Sequence, residues 1–136
     1  MIKPIMKDVF FLSQKSEPAT EADKQIGKDL IDTLTAHKHE CVGMAANMIG
    51  IKKNIIVVDM GFMPMVMFNP VITKKSGKFE TEEGCLSLIG VRPCTRYKEI
   101  EVEYQDMSFQ KKKQKFTDWT AEIIQHECDH LKGIII

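Results

Sequence analysis

The chain has 136 residues, 43% of them hydrophobic and 28% charged, which is ordinary globular composition at a length that buries roughly two-thirds of the unfolded surface. Nineteen Lys and Arg balance nineteen Asp and Glu, which argues against a general electrostatic attraction to DNA or to a membrane surface. The N-terminal MIKPIMKDVFFLSQ holds only a short apolar run and no span approaches roughly 18 uninterrupted apolar residues, so the expectation is a cytoplasmic protein without signal peptide or membrane helix.

Cys41, Cys85, Cys94 and Cys128 form no close pair, which predicts reduced thiols and leaves each available as a ligand. Thr20 and Asp23 have capping-box-like spacing ahead of KQIGKDLIDTLTAH, where Ile26, Leu30 and Leu34 recur every fourth residue, and an amphipathic surface helix is predicted over 20–38. NIIVVDM and MVMFNPVI are apolar and β-branched runs separated by GFMP, and EIEVEYQDMSFQKKKQKFT alternates around a polar break; these read as strands joined in hairpins. The lysine run at 111–115 is read as capping a hairpin in solvent, with RNA contact the weaker alternative. Thr117 or Asp118 caps a last helix from about Trp119 to Lys132, which Gly133 stops. No repeat or linker interrupts the chain, and a single domain over 1–136 is expected.

In the last helix His126, Glu127 and His130 fit the pattern His-Glu-x-x-His. At roughly 100° per residue, positions 126 and 130 lie about 40° apart, so both imidazoles project from one face and one metal ion can meet both. Trp119 and Ile123 share that face, while Ala121, Ile124, Cys128 and Leu131 form a second apolar stripe, which predicts a helix buried nearly all round. Two histidines and a glutamate in such a helix need partners, because an unpaired buried carboxylate is costly, and a metal would supply one. The competing reading is core histidines in hydrogen bonds, with the spacing accidental.

A catalytic zinc-type centre has three protein ligands and an open position. The chain has Ile136 where the extended His-Glu-x-x-His protease pattern requires a further histidine, so the third ligand comes from upstream. Cys128 points away from the histidine face, leaving Cys41, Cys85, Cys94, His37, His39 and several carboxylates as candidates.

Three separated motifs, VGMAANMIG at 42–50, EGCLS at 83–87 and QHECDH at 125–130, together resemble the peptide deformylase family. The resemblance implies an α+β fold of antiparallel β-sheets packed around the C-terminal helix that carries the histidines. It implies one divalent metal ion bound by Cys85, His126 and His130, Fe(II) in the cell and Zn(II) or Ni(II) as alternatives after isolation; a thiolate with two imidazoles suits any of these. It further implies removal of formate from N-formylmethionyl nascent peptides, with the ribosome as the place where these emerge. Water activated near neutral pH would attack the formyl carbon, Glu127 would carry the proton to the leaving amine, and the backbone amide of Leu86 would help hold the oxyanion.

The first motif departs from the family pattern Gly-x-Gly-x-Ala-Ala-x-Gln: the first glycine is Cys41 and the glutamine is Met48. Methionine has no hydrogen to donate, and losing one oxyanion donor costs about 10² to 10³ in turnover. Asn47 is expected to point elsewhere in an extended segment. Val42, Gly43 and Met48 are read as lining the substrate cleft, Trp119 and Ile123 as candidates for the pocket of the methionine side chain with core packing as the alternative, and Arg96, by the resemblance, as a substrate contact with a plain surface charge as the alternative. Two further readings compete with an attenuated deformylase: a non-catalytic relative that binds metal and peptide, which retention of Glu127 disfavours, and a His-Glu-x-x-His protease, which the missing downstream histidine disfavours.

Overall fold

The apolar run IIVVD makes physical sense only if both faces of its strand are covered, and they are. A computed structural model describes residues 1–85 and 87–134 of the chain. It contains three helices, α1 (Val9–Leu12), α2 (Lys24–Ala36) and α3 (Asp118–Leu131), and five strands, β1 (Gly43–Ala45), β2 (Ile55–Asp59), β3 (Pro64–Cys85), β4 (Leu88–Gln105) and β5 (Lys111–Thr117). The strands form one sheet in the order β1-β2-β3-β4-β5, with every neighbouring pair antiparallel.

Along β2, side chains alternate between two cores. Ile56 and Val58 pack with Ile100, Val102, Phe116, Ile124 and Leu131 on the α3 side. Ile55 and Val57 pack with Leu30, Leu34, Met44 and Phe68 on the α2 side. The centre of the sheet is thus apolar on both faces, which is why β2 reads as continuous hydrophobicity instead of alternation. The expected α+β arrangement is found, with the strands in a single sheet; register shifts along the β3–β4 pairing, at Phe68/Val71, Ile72/Lys74 and Gly84/Cys85, mark the irregularities that let such long strands bend.

The helix predicted over 20–38 begins as a 3-10 turn at Glu21–Asp23 and becomes α-helical at Lys24, with the Thr20 amide donating to the Asp23 carboxylate at 2.8 Å. The lysine run does not cap a hairpin end: it forms β5 itself, an edge strand answered by acids on β4. Lys115 lies 2.8 Å from Glu99 and Lys113 lies 3.3 Å from Glu101, so the local charge is balanced within the sheet. Charged edge strands of this kind resist pairing with other chains.

Helix α3 ends where expected. Gly133 has φ +78°, and the amides of Gly133 and Ile134 close back on the carbonyls of His130 and Asp129, each at 3.0 Å. A Cβ on Gly133 would also collide with the backbone carbonyl of Ser13. We predict that Gly133→Ala lowers the unfolding free energy by about 2 to 4 kcal/mol, combining left-handed strain with the clash. An unchanged urea midpoint would show that the turn relaxes freely.

Candidate metal centre and active site

Cys85 closes β3 at the tip of the long β3–β4 hairpin, and His126 and His130 stand one turn apart on α3. The packing of α3 across the sheet brings the hairpin tip to the histidine face, and the ligand atoms of Cys85, His126 and His130 all lie within 4.8 Å of one another. The Nε2 atoms of the two histidines are 3.1 Å apart. Metal–nitrogen bonds of roughly 2.0–2.1 Å in a tetrahedron give a nitrogen–nitrogen edge of about 3.3 Å, so the pair is spaced to share one ion. Of the upstream candidates that the residues left open, Cys85 is the one brought into this group; Cys41, Cys94, His37 and His39 are not part of it.

The two imidazoles differ in surroundings. Burial works against a charge on His126, but its hydrogen bonds with Cys85 and Glu83 outweigh burial and push it up to about 10. Burial and the adjacent His126 push His130 down to about 3. At 3.1 Å the two Nε2 atoms are also within reach of a shared proton, whose place an ion bonded to both nitrogens would take.

Behind His126 lies a buried charge network. Its Nδ1 meets Glu83 Oε1 at 2.7 Å. Arg96 then grips the same carboxylate, with Nε 3.0 Å from Oε2 and Nη2 2.7 Å from Oε1, while Nη1 donates to Asp129 Oδ2 at 2.7 Å. Burial alone would raise the Glu83 carboxyl, but the bonds from His126 and Arg96 hold it well below the usual range. Arg96, read from sequence as a substrate contact, is therefore placed differently: it is 4% exposed, bound to two acids, and does not line the cavity beside the site. Glu83 and Asp129 went unassigned in the sequence reading. The available signal was parity, since Glu83 and Cys85 are two apart on a strand and so share a face.

The cavity holds about 740 Å³ and is lined by Val42, Gly43, Met48, Cys85, Trp119, Ile123, His126 and Glu127 among others. That size is usual for a ligand site. Glu127 is 4% exposed and its Oε1 has no hydrogen-bond partner among the described residues. Burial, more than any neighbour, pushes its carboxyl up to about 7. β1 approaches α3 so closely at this point that a Cβ on Gly43 would sit 2.8 Å from Ile123 Cγ2 and 2.9 Å from Glu127 Oε2. Gly43 thus acts through its missing side chain.

Met48 is 1% exposed and reaches the cavity from a 3-10 turn at Ala46–Ile49, which replaces the extended segment expected there. Asn47 does point elsewhere, for a reason outside strand alternation: its Nδ2 donates to the His130 carbonyl at 2.9 Å. Leu86, assigned an amide at the oxyanion by resemblance, lies outside the described residues. α3 is buried from Ala121 to Leu131 apart from the half-buried Glu122 and Asp129, but Trp119 is 60% exposed at the cavity mouth, so the helix is not enclosed all round.

We predict that Arg96→Met lowers stability by about 3 to 5 kcal/mol, because it strands Glu83 in the interior without its cation. It should also weaken metal affinity about 10- to 100-fold by freeing His126. Denaturant titration and competition with a chelator measure the two effects separately, and wild-type values in both would remove the network from the account of the site.

The sequence profile of the family described as polypeptide deformylase matches residues 2–136. The peptide deformylase of Clostridium beijerinckii is 60% identical over 136 residues, the full length of both chains. Among solved structures, the peptide deformylase of Thermotoga maritima superposes with a TM-score of 0.89 at 29% identity, covering 99% of this chain and 95% of that one. The Met-Ala-Ser-bound class I type b peptide deformylase of Acinetobacter baumannii gives 0.87 at 27% identity, covering 99% and 97%. No helix among the described residues is long and apolar enough to cross a membrane. With sequence and fold agreeing over essentially its whole length, the chain belongs to the polypeptide deformylase family.

Proposed function

We propose that this chain removes the formyl group from N-formylmethionyl peptides of newly made proteins in the cytoplasm, with one divalent ion held by Cys85, His126 and His130. The observation that carries this reading is a shared cavity: Cys85 and His126 of the three-residue ligand group line it together with Glu127, a buried carboxylate whose Oε1 has no hydrogen-bond partner among the described residues. The Met-Ala-Ser peptide bound by the relative from Acinetobacter baumannii supports a cavity suited to a short methionine-led peptide. The donor set of one thiolate and two imidazoles accommodates Fe(II), Zn(II) or Ni(II), and we assign Fe(II) as the cellular ion.

When bound, the ion supplies Lewis acidity and eases deprotonation of water near neutral pH. The remaining work falls to side chains. Glu127 receives the proton from the attacking water, holds it in a site where burial already favours the protonated carboxyl, and delivers it to the amine nitrogen as the carbon–nitrogen bond breaks. Formate and a free amine leave. Glu83 fixes His126 through Nδ1, and Arg96 fixes Glu83. Trp119 and Ile123 form apolar wall beside the reacting group, and Val42 and Gly43 line the cleft along β1.

Turnover is attenuated in this reading because Met48 offers no hydrogen to the oxyanion and Asn47 is committed to His130. The same absence favours the second reading, a metal- and peptide-binding relative without catalysis. Formate release from formyl-Met-Ala-Ser by protein loaded anaerobically with Fe(II) decides between them. We expect turnover that Glu127→Ala abolishes while metal content is kept, loss of metal in Cys85→Ser, and a gain of about 10² or more in Met48→Gln. No formate from either the parent or Met48→Gln would select the binding protein.

A further inference from the structure

Two cysteines from different elements share the cavity. Cys85 ends β3, and Cys41 stands in the connection between α2 and β1, where the family pattern has glycine; both are half-buried and both line the cavity. Both also pack against the same α2-side core. The Cys41 sulfur accepts a hydrogen bond from the Gly43 amide, which places it beside the point where β1 closes on Glu127. Burial, then Glu127 and Cys85, push the Cys41 thiol up to about 12, so it stays protonated and is a poor first target for an oxidant. A ligand sulfur acts as a thiolate, which makes Cys85 the nucleophile of the two. Neither segment is locked into regular structure: the pairing of β3 with β4 slips at Gly84/Cys85, and Cys41 lies outside any strand, its amide turned back to the His37 carbonyl at 3.0 Å.

We propose that Cys41 is a resolving thiol for Cys85: when hydrogen peroxide oxidises the Cys85 sulfur, Cys41 closes on it in a reversible disulfide that empties the metal group and spares the ligand from permanent oxidation. The pair rests on the proposed metal group through Cys85 and is independent of the substrate. In the first step the Cys85 thiolate attacks one peroxide oxygen, the oxygen–oxygen bond breaks, and hydroxide leaves; sulfur is oxidised to the sulfenic acid and peroxide is reduced. In the second the Cys41 sulfur attacks the Cys85 sulfur, the sulfur–oxygen bond breaks, and the departing hydroxide leaves as water with the Cys41 proton. A dithiol reductant returns both cysteines. With glycine at position 41 no thiol stands in the cavity to intercept the sulfenic acid, which then advances to sulfinic and sulfonic acids that thiols do not reduce.

Exposure of Zn(II)-loaded protein to hydrogen peroxide, with zinc release followed by a colorimetric chelator and the chain then alkylated for intact mass and peptide mapping, tests the pair. We expect zinc release together with loss of two hydrogens and of two alkylatable thiols per chain, a linked peptide joining Cys41 to Cys85, and recovery of zinc binding after dithiothreitol. Cys41→Gly, which restores the family residue, and Cys41→Ser should both gain two or three oxygens at Cys85 and lose zinc binding permanently; agreement between the two separates the missing thiol from any change in folding. Cys94→Ser should behave as the parent. A parent unchanged by peroxide or carrying oxygens at Cys85 without the bond, a bond from Cys85 to Cys94, to Cys128 or to another chain, or full recovery in both Cys41 variants overturns the pair. Formate release enters none of these readouts, so failure of the deformylase reading and failure of the pair are seen separately.

Discussion

Arg96 is the joint at which three elements meet. It sits on β4, holds Glu83 of β3 on one side and Asp129 of α3 on the other, and through Glu83 reaches the ring of His126. A guanidinium suits this place because its fork satisfies two carboxylates at fixed angles, which a lysine ammonium does not do. Buried ion pairs are poor sources of net stability, since desolvation offsets most of the attraction. What this one supplies is alignment: hairpin and helix are tied together at the depth where Cys85 must meet the histidines.

Much of this was legible from sequence. The histidine spacing, the start of α3 after Thr117 and its stop at Gly133 are local features that local periodicity reports well, although Thr117 makes no side-chain capping bond. Cys85 was different. Residue chemistry left it among several candidates, because the ligand is recruited across the sheet by long-range packing, and only the motif resemblance singled it out. Arg96 shows the opposite failure: a charged residue near a site reads as a substrate contact until the partners that bury it are seen. The turn at Asn47 was misread for a related reason, since a run of small residues does not announce whether it continues a strand or bends to place one amide on a helix carbonyl. The lysines of β5 look like a solvated tip in one dimension, and only pairing with β4 shows them as an edge strand facing glutamates.

The interior of the site trades stability for chemistry. Glu127 lies buried with one oxygen unpartnered among the described residues, against a glycine whose Cα leaves no room for anything larger. Such a group is expensive to keep and persists where the surrounding structure determines it. Met48 makes the opposite choice, replacing hydrogen bonding with packing in the α2-side core. The cavity therefore combines a strongly polar base and ligand set on the α3 and β3 walls with an apolar floor.

The position of Cys85 at the end of a hairpin has a consequence for chain topology. An ion shared by Cys85 and His126 would be a cross-link between distant points in the sequence, enclosing β4, β5 and most of α3 in a closed loop of about forty residues. In the chain-entropy account of cross-links, closure of such a loop restricts the unfolded chain by about 4 kcal/mol, comparable to a disulfide. The hairpin tip would then be held by a covalent-like constraint that, unlike a disulfide, does not depend on an oxidising environment.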